Sequence, residues 1–570
     1  MNVVVARPLT QRRLTGQRQA LVQTAHVRLM ILMLLFAAGV MLVLGRIALL
    51  GLMSGDNAPR ASVAGLGQRG DILDRNGAPL ARTIEAWTIG VHPPKLLGDR
   101  RDLAEKLAAL MPTHDAAYYY GLLTKPGNFT YIERHASPEL VNQVHALGEP
   151  AIVFAQEAER LYPQSTLAAH VLGFLTPDGH GASGIERALD DRLTSDVDRG
   201  TPVSLSIDAR VQAAMESELG RAMASFQAKG ATGVVLDVNT GEVISMVSLP
   251  VFNPNKVGMA DRESLRNNVT QSVYELGSTF KPITMATAIN SGVVTSMARR
   301  FDATVPLHVG GFTIHDDHPQ KRYLNIAETL IHSSNIATAR IADEVGKDRM
   351  SAMFKAMGFD TKPDIELREK QKPIWPTYWA RTTTMTTAYG HGIAVTPLHL
   401  ASAYAALVNG GIWRPATLMK VAPGHAAQGR RVLREETSAR MRQLLRLVVT
   451  QGTGRKGEAI GYRVGGKTGT AEIPGKGGYS RSSNVSTFAA AFPMDAPRYV
   501  VIAMLDSPIG NKESFGLTTA AWTAAPVVSK VITRTGAMLG VMPDSARDVD
   551  VSDLLPLLWH APGENAVDPE

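Results

Sequence analysis

Gly461-Tyr-Arg-Val-Gly-Gly466-Lys467-Thr468 satisfies the nucleotide-binding pattern GxxxxGK[ST], and the residues after it decide the fold. A phosphate loop of that kind needs a helix directly after the Lys-Thr pair, because the free amides and dipole of the first turn hold the anion. The chain instead continues as Gly469-Thr-Ala-Glu-Ile-Pro-Gly-Lys-Gly-Gly478. Four glycines and a proline oppose a helix there, at about 1 kcal/mol per glycine and about 3 kcal/mol for the proline. The nucleotide reading fails, and Lys467 is left as a binder of some other anion.

Upstream, Ser278-Thr-Phe-Lys281 sits between Glu275-Leu-Gly277 and a helical run from Pro282 to Ile289. Residues three apart share a helix face, so the spacing predicts that the Lys281 amine reaches the Ser278 hydroxyl. Gly277 permits a sharp turn into that helix. Pro282 is tolerated because first-turn amides have no intrahelical partner. Ser333-Ser334-Asn335 comes 55 residues after Ser278, and Lys467-Thr-Gly469 lies 134 residues beyond Ser333. Each short motif is weak alone; together, in this order, they are strong.

Around these motifs the pattern reads as α+β. A short strand at Val203–Ile207 and a helix at Val211–Phe226 precede a strand, turn and strand at Thr232–Asp237, Asn239–Gly241 and Glu242–Ser248. A second strand pair lies at Thr487–Phe492 and Tyr499–Leu505, and the residues between are mostly helical, including Thr396–Val408 and Thr437–Thr450. Strands at both ends of a helical domain predict an antiparallel sheet flanked by helices. Residues 54–200 mix short strands with helical runs such as Arg101–Leu110 and read as a non-catalytic pedestal. Its Arg69-Gly-Asp-Ile-Leu-Asp-Arg-Asn-Gly77 carries a tight hairpin turn at Asn76-Gly77, with Asp71, Asp74 and Arg75 as salt-bridging turn residues. Residues 201–540 form the catalytic domain, and the Asp- and Pro-rich residues 541–570 a loosely held tail.

The first acidic residue is Asp56, and Arg7, Arg12, Arg13, Arg18 and Arg28 precede an apolar run, Leu29–Met53, broken only by Arg46. The run exceeds the roughly 20 apolar residues a bilayer needs and is too long for a cleaved signal peptide. Residues 29–53 are therefore an uncleaved anchor, with Arg46 snorkelling to the interface. The positive-inside rule puts residues 1–28 in the cytoplasm and the rest outside, where no nucleotide triphosphate is expected. Much of the net charge of +7 comes from the acid-free N-terminus. With no basic stripe or RNA-binding motif, a nucleic-acid partner is not expected. The chain has no cysteine, which removes disulfides, thiol nucleophiles and cysteine metal sites.

Together with the anchor and pedestal, the three motifs resemble the class B penicillin-binding proteins, here with Ser-Ser-Asn as the middle motif. The resemblance extends to Arg69–Gly77, Arg160-Leu-Tyr-Pro163, Gly184-Ile-Glu186 and Tyr389-Gly-His-Gly-Ile-Ala-Val-Thr-Pro397, and runs from the anchor to about residue 540. Tyr274-Glu-Leu-Gly277 is closer to the Glu-Pro-Gly of septal enzymes than to the Pro-Pro-Gly of elongation enzymes, with Leu276 as a departure. The resemblance implies a penicillin-binding, β-lactamase-like domain that cross-links peptidoglycan stem peptides at the division septum without a cofactor. It implies Ser278 as nucleophile, Lys281 as its base beside Lys467, Ser333 as proton relay to the leaving amine, and Asn335 as a partner of Lys281 or of the substrate amide. Lys467 and Thr468 would hold the substrate carboxylate, Gly469 would let the strand approach it, and the amides of Ser278 and Thr470 would form the oxyanion hole. The implied partners are stem peptides, β-lactams as inhibitors, a membrane glycan polymerase and division-complex proteins.

An elongation enzyme, a carboxypeptidase or β-lactamase with the same triad, and a penicillin sensor or scaffold are the alternatives. The complete triplet opposes a purely structural role and the pedestal opposes a free β-lactamase. No HExxH is present, and no metal is expected; His315-Asp-Asp-His318 reads as a polar loop. His391 reads as structural, and Tyr479 with the glycines after Lys467-Thr-Gly469 as a mobile loop at the site mouth.

Overall fold

The computed structural model describes residues 27–46, 69–195, 201–475 and 478–559, with the backbone alone at 474–475 and 478–482. The expected cytoplasmic residues 1–26, the end of the apolar run at 47–53, the start of the pedestal at 54–68 and residues 560–570 lie outside these. The apolar run forms helix α1, Val27–Arg46, whose 20 residues are long and apolar enough to cross a membrane. At 1.5 Å per residue it spans about 30 Å, the thickness of a hydrocarbon core.

Pedestal strands β1 (Ile72–Leu73), β2 (Pro79–Val91), β3 (Thr130–Ala136) and β4 (Ile152–Leu161) form a sheet centred on β2, which pairs antiparallel with the other three. Helices α2 (Arg100–Leu110), α3 (Ala116–Thr124) and α4 (Pro138–His145) each begin at a side-chain cap, Asp99, Asp115 and Ser137. The caps take amides that a helix start leaves unpaired, two at Asp99 and one each at Asp115 and Ser137. Leu103, Leu107, Tyr119 and Leu123 bury a small core of their own with Ile89, Val91, Ile132 and Val144.

The hairpin between β1 and β2 is fastened by Asp74, whose Oδ1 accepts the amides of Asn76 and Ala78, both at 2.8 Å. The salt bridges there belong to its neighbours, Asp71 with Arg82 at 3.0 Å and Arg75 with Glu242 at 3.7 Å. β1 also pairs in parallel with β5 (Val203–Ser204), which stitches the base of the pedestal to the larger domain.

That domain is built on five antiparallel strands in the order β8-β9-β10-β6-β7: β6 (Gly230–Asp237), β7 (Val243–Leu249), β8 (Gly465–Gly475), β9 (Gly478–Phe492) and β10 (Tyr499–Asp506). Successive strand residues face opposite sides, so one sequence serves two cores. Val235, Phe488, Phe492, Val501 and Leu505 meet α5 (Ala209–Ser225) and the C-terminal Val527–Ile532 segment. Val234, Leu236, Ala489, Val500 and Ile502 meet the large helical cluster. Two covered faces explain why β6 is buried along its whole length and reads as a near-continuous apolar run. The helical side contains α6 (Lys281–Asn290), α7 (Ile326–Ile331), α8 (Asn335–Val345), α9 (Pro397–Val408) and α10 (Glu435–Gln451).

The C-terminal segment departs from the loose tail expected of it. As far as residue 559 it is strapped across the domain: Arg446 holds Asp548 at 2.8 Å, Arg440 holds Asp553 at 2.6 Å, and Asn325 and Arg300 both donate to the Leu557 carbonyl. The acidic residues that read as solvated are partners for arginines on α10.

Candidate active site

The first wall of the site is the turn Gly277–Phe280, a single 3₁₀ turn that runs directly into α6. Gly277 has φ +54°, the left-handed conformation expected for a sharp change of direction. Phe280 is fully buried against Phe354 and Phe359, with ring centroids 5.6 and 5.3 Å away, and the Tyr404 hydroxyl donates to the Thr279 carbonyl at 2.9 Å. Burying such a ring is worth about 1.5–3 kcal/mol, so half-buried Ser278 stands on a rigid base.

The second wall is the connection between α7 and α8. Ser333 has φ +57°, a left-handed conformation that costs a non-glycine residue about 1–3 kcal/mol and persists only where its surroundings enforce it. Its hydroxyl donates to Ser278 Oγ at 3.0 Å. Lys281 Nζ donates to that hydroxyl at 3.1 Å and also to the Ser333 carbonyl. The lysine and the nucleophile candidate are thus joined through Ser333, a different linkage from the direct i, i+3 contact that spacing predicts. Ser333, carried in by the connection between α7 and α8, stands between the two groups.

β8 supplies the third wall as an edge strand, paired on one side only. Lys467 is fully buried, and its Nζ donates to the Thr468 carbonyl at 3.0 Å and to Thr468 Oγ1 at 3.2 Å. Thr453, which comes just after α10, shares a 2.8 Å hydrogen bond with Thr468 Oγ1. Thr470 Oγ1 accepts the Ala520 amide at 3.1 Å. At Gly469 a Cβ would lie 2.4 Å from the Leu276 carbonyl and 2.7 Å from Thr279 Cγ2. The glycine therefore lets β8 approach the nucleophile turn, which is a different close approach from the one to a substrate expected of it.

Burial dominates the electrostatics. Taken out of water, Lys281 is pushed down to about 7, with Asp316 and Asp317 opposing the fall. Lys467 is driven well below the ordinary lysine value, first by burial and then by the positive charge of Lys281. Two buried like charges raise the energy of the doubly protonated state, so the pair readily gives up or shares a proton.

The structure brings together Ser278, Lys281, Ser333, Lys467, Thr468, Gly469 and Thr470. Asn335 is placed beside them, but its Nδ2 donates to the His315 carbonyl at 3.0 Å. The His315–His318 segment is more than a polar loop: Asp316 is buried, and its carboxylate accepts the Ser334 hydroxyl at 2.7 Å and the Ile336 amide at 2.9 Å. Its sequence signal was the Asp pair between two histidines; Thr453 and Asp316 join the site only through tertiary contacts. His391 Nδ1 lies 3.3 Å from a Glu275 carboxylate oxygen and the Gly392 amide donates to Glu275 at 3.0 Å, so this segment braces the approach to the Gly277–Phe280 turn. Tyr479 is in strand register opposite Pro474, where a loop was expected, because the hairpin continues to Gly475 and Gly478; residues 476–477 of that loop lie outside the described residues.

Residues 231–529 match the family model of the penicillin-binding protein transpeptidase domain, and residues 65–199 that of the penicillin-binding protein dimerisation domain. The chain belongs to the class B penicillin-binding proteins. It is 41% identical over 485 residues to the probable peptidoglycan D,D-transpeptidase FtsI of Caulobacter vibrioides, covering 83% of this chain and 82% of that one. Its identity to the peptidoglycan D,D-transpeptidase FtsI of Escherichia coli K12 is 29% over 522 residues, covering 85% and 86%. The crystal structure of penicillin-binding protein 3 from Mycobacterium tuberculosis, complexed with aztreonam, superposes with a TM-score of 0.66 at 27% identity, covering 83% of this chain and 97% of that one. The α+β architecture, with its antiparallel sheet between helices, is that of these relatives.

Proposed function

We propose that this chain is a septal peptidoglycan D,D-transpeptidase that acts through an acyl-serine at Ser278. The observation that carries the reading is the hydrogen-bonded line Ser278–Ser333–Lys281 beside a second buried lysine on an open strand edge. With neutral Lys281 as acceptor, the Ser278 proton passes through the Ser333 hydroxyl to Nζ as Oγ attacks the penultimate D-Ala carbonyl carbon. General-base help of this kind is worth about 10² to 10⁴ in rate. The bond to the terminal D-Ala breaks, and its nitrogen takes a proton back along the same line. A stem-peptide amine then attacks the ester and regenerates Ser278. One amide is lost and one gained, so no external energy source is needed.

The edge of β8 offers unpaired backbone groups to an extended peptide, as strand addition requires. Lys467 and Thr468 take the substrate carboxylate, whose negative charge restores the charged form of Lys467. The amides of Ser278 and Thr470 form the oxyanion hole, each donor worth about 10² to 10³ in rate. Asn335 then acts on the substrate amide. β-Lactams, as mimics of D-Ala-D-Ala, acylate the same serine.

α1 anchors the chain with its N-terminus in the cytoplasm and the catalytic domain outside. The septal assignment rests on the likeness to enzymes named FtsI, and it brings as partners a membrane glycan polymerase and division-complex proteins. Labelling with a fluorescent penicillin tests the chemistry: the wild type retains label, and Ser278→Ala takes none. Cells carrying only Ser278→Ala should form filaments. Full labelling of the variant removes Ser278 as nucleophile; rapid loss of label from the wild type makes the chain a hydrolase.

A further inference from the structure

Asp316 is a carboxylate the acyl-transfer scheme does not use, yet it is 8% exposed and stands at the back of the middle motif. Both of its oxygens are engaged there, Oδ2 by the Ser334 hydroxyl and Oδ1 by the Ile336 amide. One residue earlier, the His315 carbonyl takes the Asn335 side-chain amide. The short segment His315–Asp316 thus binds the three residues directly after Ser333. On the other side, Ser333 and Ser334 are held by their amides, which donate to the Leu330 and Thr329 carbonyls at 3.2 and 3.0 Å. Ser333 between these two sets of bonds is the residue with φ +57°.

A left-handed serine relaxes to an ordinary conformation unless both flanks are tied. The end of α7 ties one flank and Asp316 ties the other. Relaxation would swing the Ser333 hydroxyl away from Ser278 Oγ and Lys281 Nζ, which it now reaches at 3.0 and 3.1 Å.

We propose that Asp316 is a positioning residue of the acyl-transfer site: it fixes the Ser333–Asn335 turn and thereby holds the Ser333 hydroxyl between Ser278 and Lys281. The proposal rests on Ser278 being the nucleophile. Asp316 also sets the local field. Asp316 and Asp317 both favour the charged form of Lys281, while Lys467 is opposed by the charge of Lys281 and favoured by that of Asp317. Removing the Asp316 charge while keeping its shape therefore lowers the pH at which Lys281 loses its proton.

The test is the second-order rate of acylation by a fluorescent penicillin, measured from pH 5 to 9 on the full chain in detergent, for wild type, Asp316→Ala, Asp316→Asn and Ser278→Ala. Asp316→Ala frees the turn, and a displacement of about 1 Å in a reacting group costs about 10²-fold in rate, so a fall of at least about tenfold is expected. Asp316→Asn keeps an acceptor for the Ile336 amide and a partner for Ser334. It should recover most of the rate above pH 8, with its acid limb displaced to lower pH than the wild type. The proposal is overturned if Asp316→Ala acylates within twofold of wild type, if Asn recovers no more than Ala, or if the acid limb does not move. It is equally overturned if the lost rate matches the fraction of unfolded protein by thermal melting. Failure of the nucleophile reading is seen separately, as labelling of Ser278→Ala.

Discussion

Two clusters of buried charge sit in this chain, one where the pedestal meets the catalytic domain and one in the acyl-transfer site, and they are built on opposite plans. At the domain junction Glu186 is completely buried and takes Arg69 on Oε2 at 2.7 Å and Arg160 on Oε1 at 2.7 Å, with the Tyr162 hydroxyl on the same oxygen at 3.2 Å. Arg69 also reaches Asp190 at 2.7 Å and the Glu186 carbonyl at 2.8 Å, and Arg160 reaches the Gly70 carbonyl at 2.9 Å. Two guanidiniums meet two carboxylates, and of their nitrogens Arg160 Nη2 is buried without a partner among the described residues. In the catalytic site the two fully buried charges are both lysines, and the buried carboxylate nearby is turned toward the Ser333–Asn335 turn. A matched cluster has no reason to exchange protons and serves as a joint. A mismatched one is unstable when fully charged and serves as a proton acceptor.

Replacing one member of each cluster is the sharpest way to break that contrast. Lys281→Met keeps the length and removes the amine, and should slow acylation by about 10² to 10⁴. Stability should hold or rise, because a buried ammonium without a carboxylate partner is exchanged for an apolar chain. Penicillin labelling with thermal melting measures both. A stable variant that acylates at the wild-type rate would take the base role from Lys281, and a large fall in melting temperature would make the lysine pair a structural device.

Glu186→Ala is the opposite experiment. It strands the Arg160 guanidinium and leaves Arg69 with Asp190 alone, and breaking a buried pair in this way costs about 3–5 kcal/mol. The loss should appear in chemical denaturation, with the rate of acylation per folded molecule unchanged. Acylation that falls in the folded fraction would instead mean that the joint transmits to the catalytic site, and the two clusters would no longer be separable.

What could be read from the chain divides along a similar line. The strands β6, β7 and β10 and helices α9 and α10 arise from local periodicity and lie within a few residues of where that periodicity puts them, whereas β9 begins at Gly478, well before the expected Thr487. The motifs at Ser278, Ser333 and Lys467 were legible because each is short and contiguous. The linkage of Lys281 to Ser278 through Ser333 was not, because it depends on a distant left-handed serine that no residue type announces. The contacts of Asp316 and Asn335 were hidden for one reason: each partnership spans about 20 residues and is invisible to spacing rules. The C-terminal strap reads as loose because acidic residues look solvated until the arginines of α10 are placed beside them.

The contrast also predicts a difference in response to pH. Arginines paired with carboxylates hold their charge across the neutral range, so the junction should be indifferent to pH there. Lys281, pushed down to about 7 by burial, titrates within it. If Lys281 is the base, only its neutral form can accept the Ser278 proton, and acylation should level off above about pH 7 and fall about tenfold per unit below it, or about 10²-fold at pH 5. Stability should carry the same signature. Between about pH 7 and the ordinary lysine value of 10.5 the unfolded chain binds a proton that the folded site refuses, so folding becomes more favourable as pH rises through that window. Lys281→Met removes this increment and Glu186→Ala leaves it in place. If both variants kept the wild-type slope of stability against pH, the titrating charge would lie elsewhere, and Lys467 would be the next group to replace.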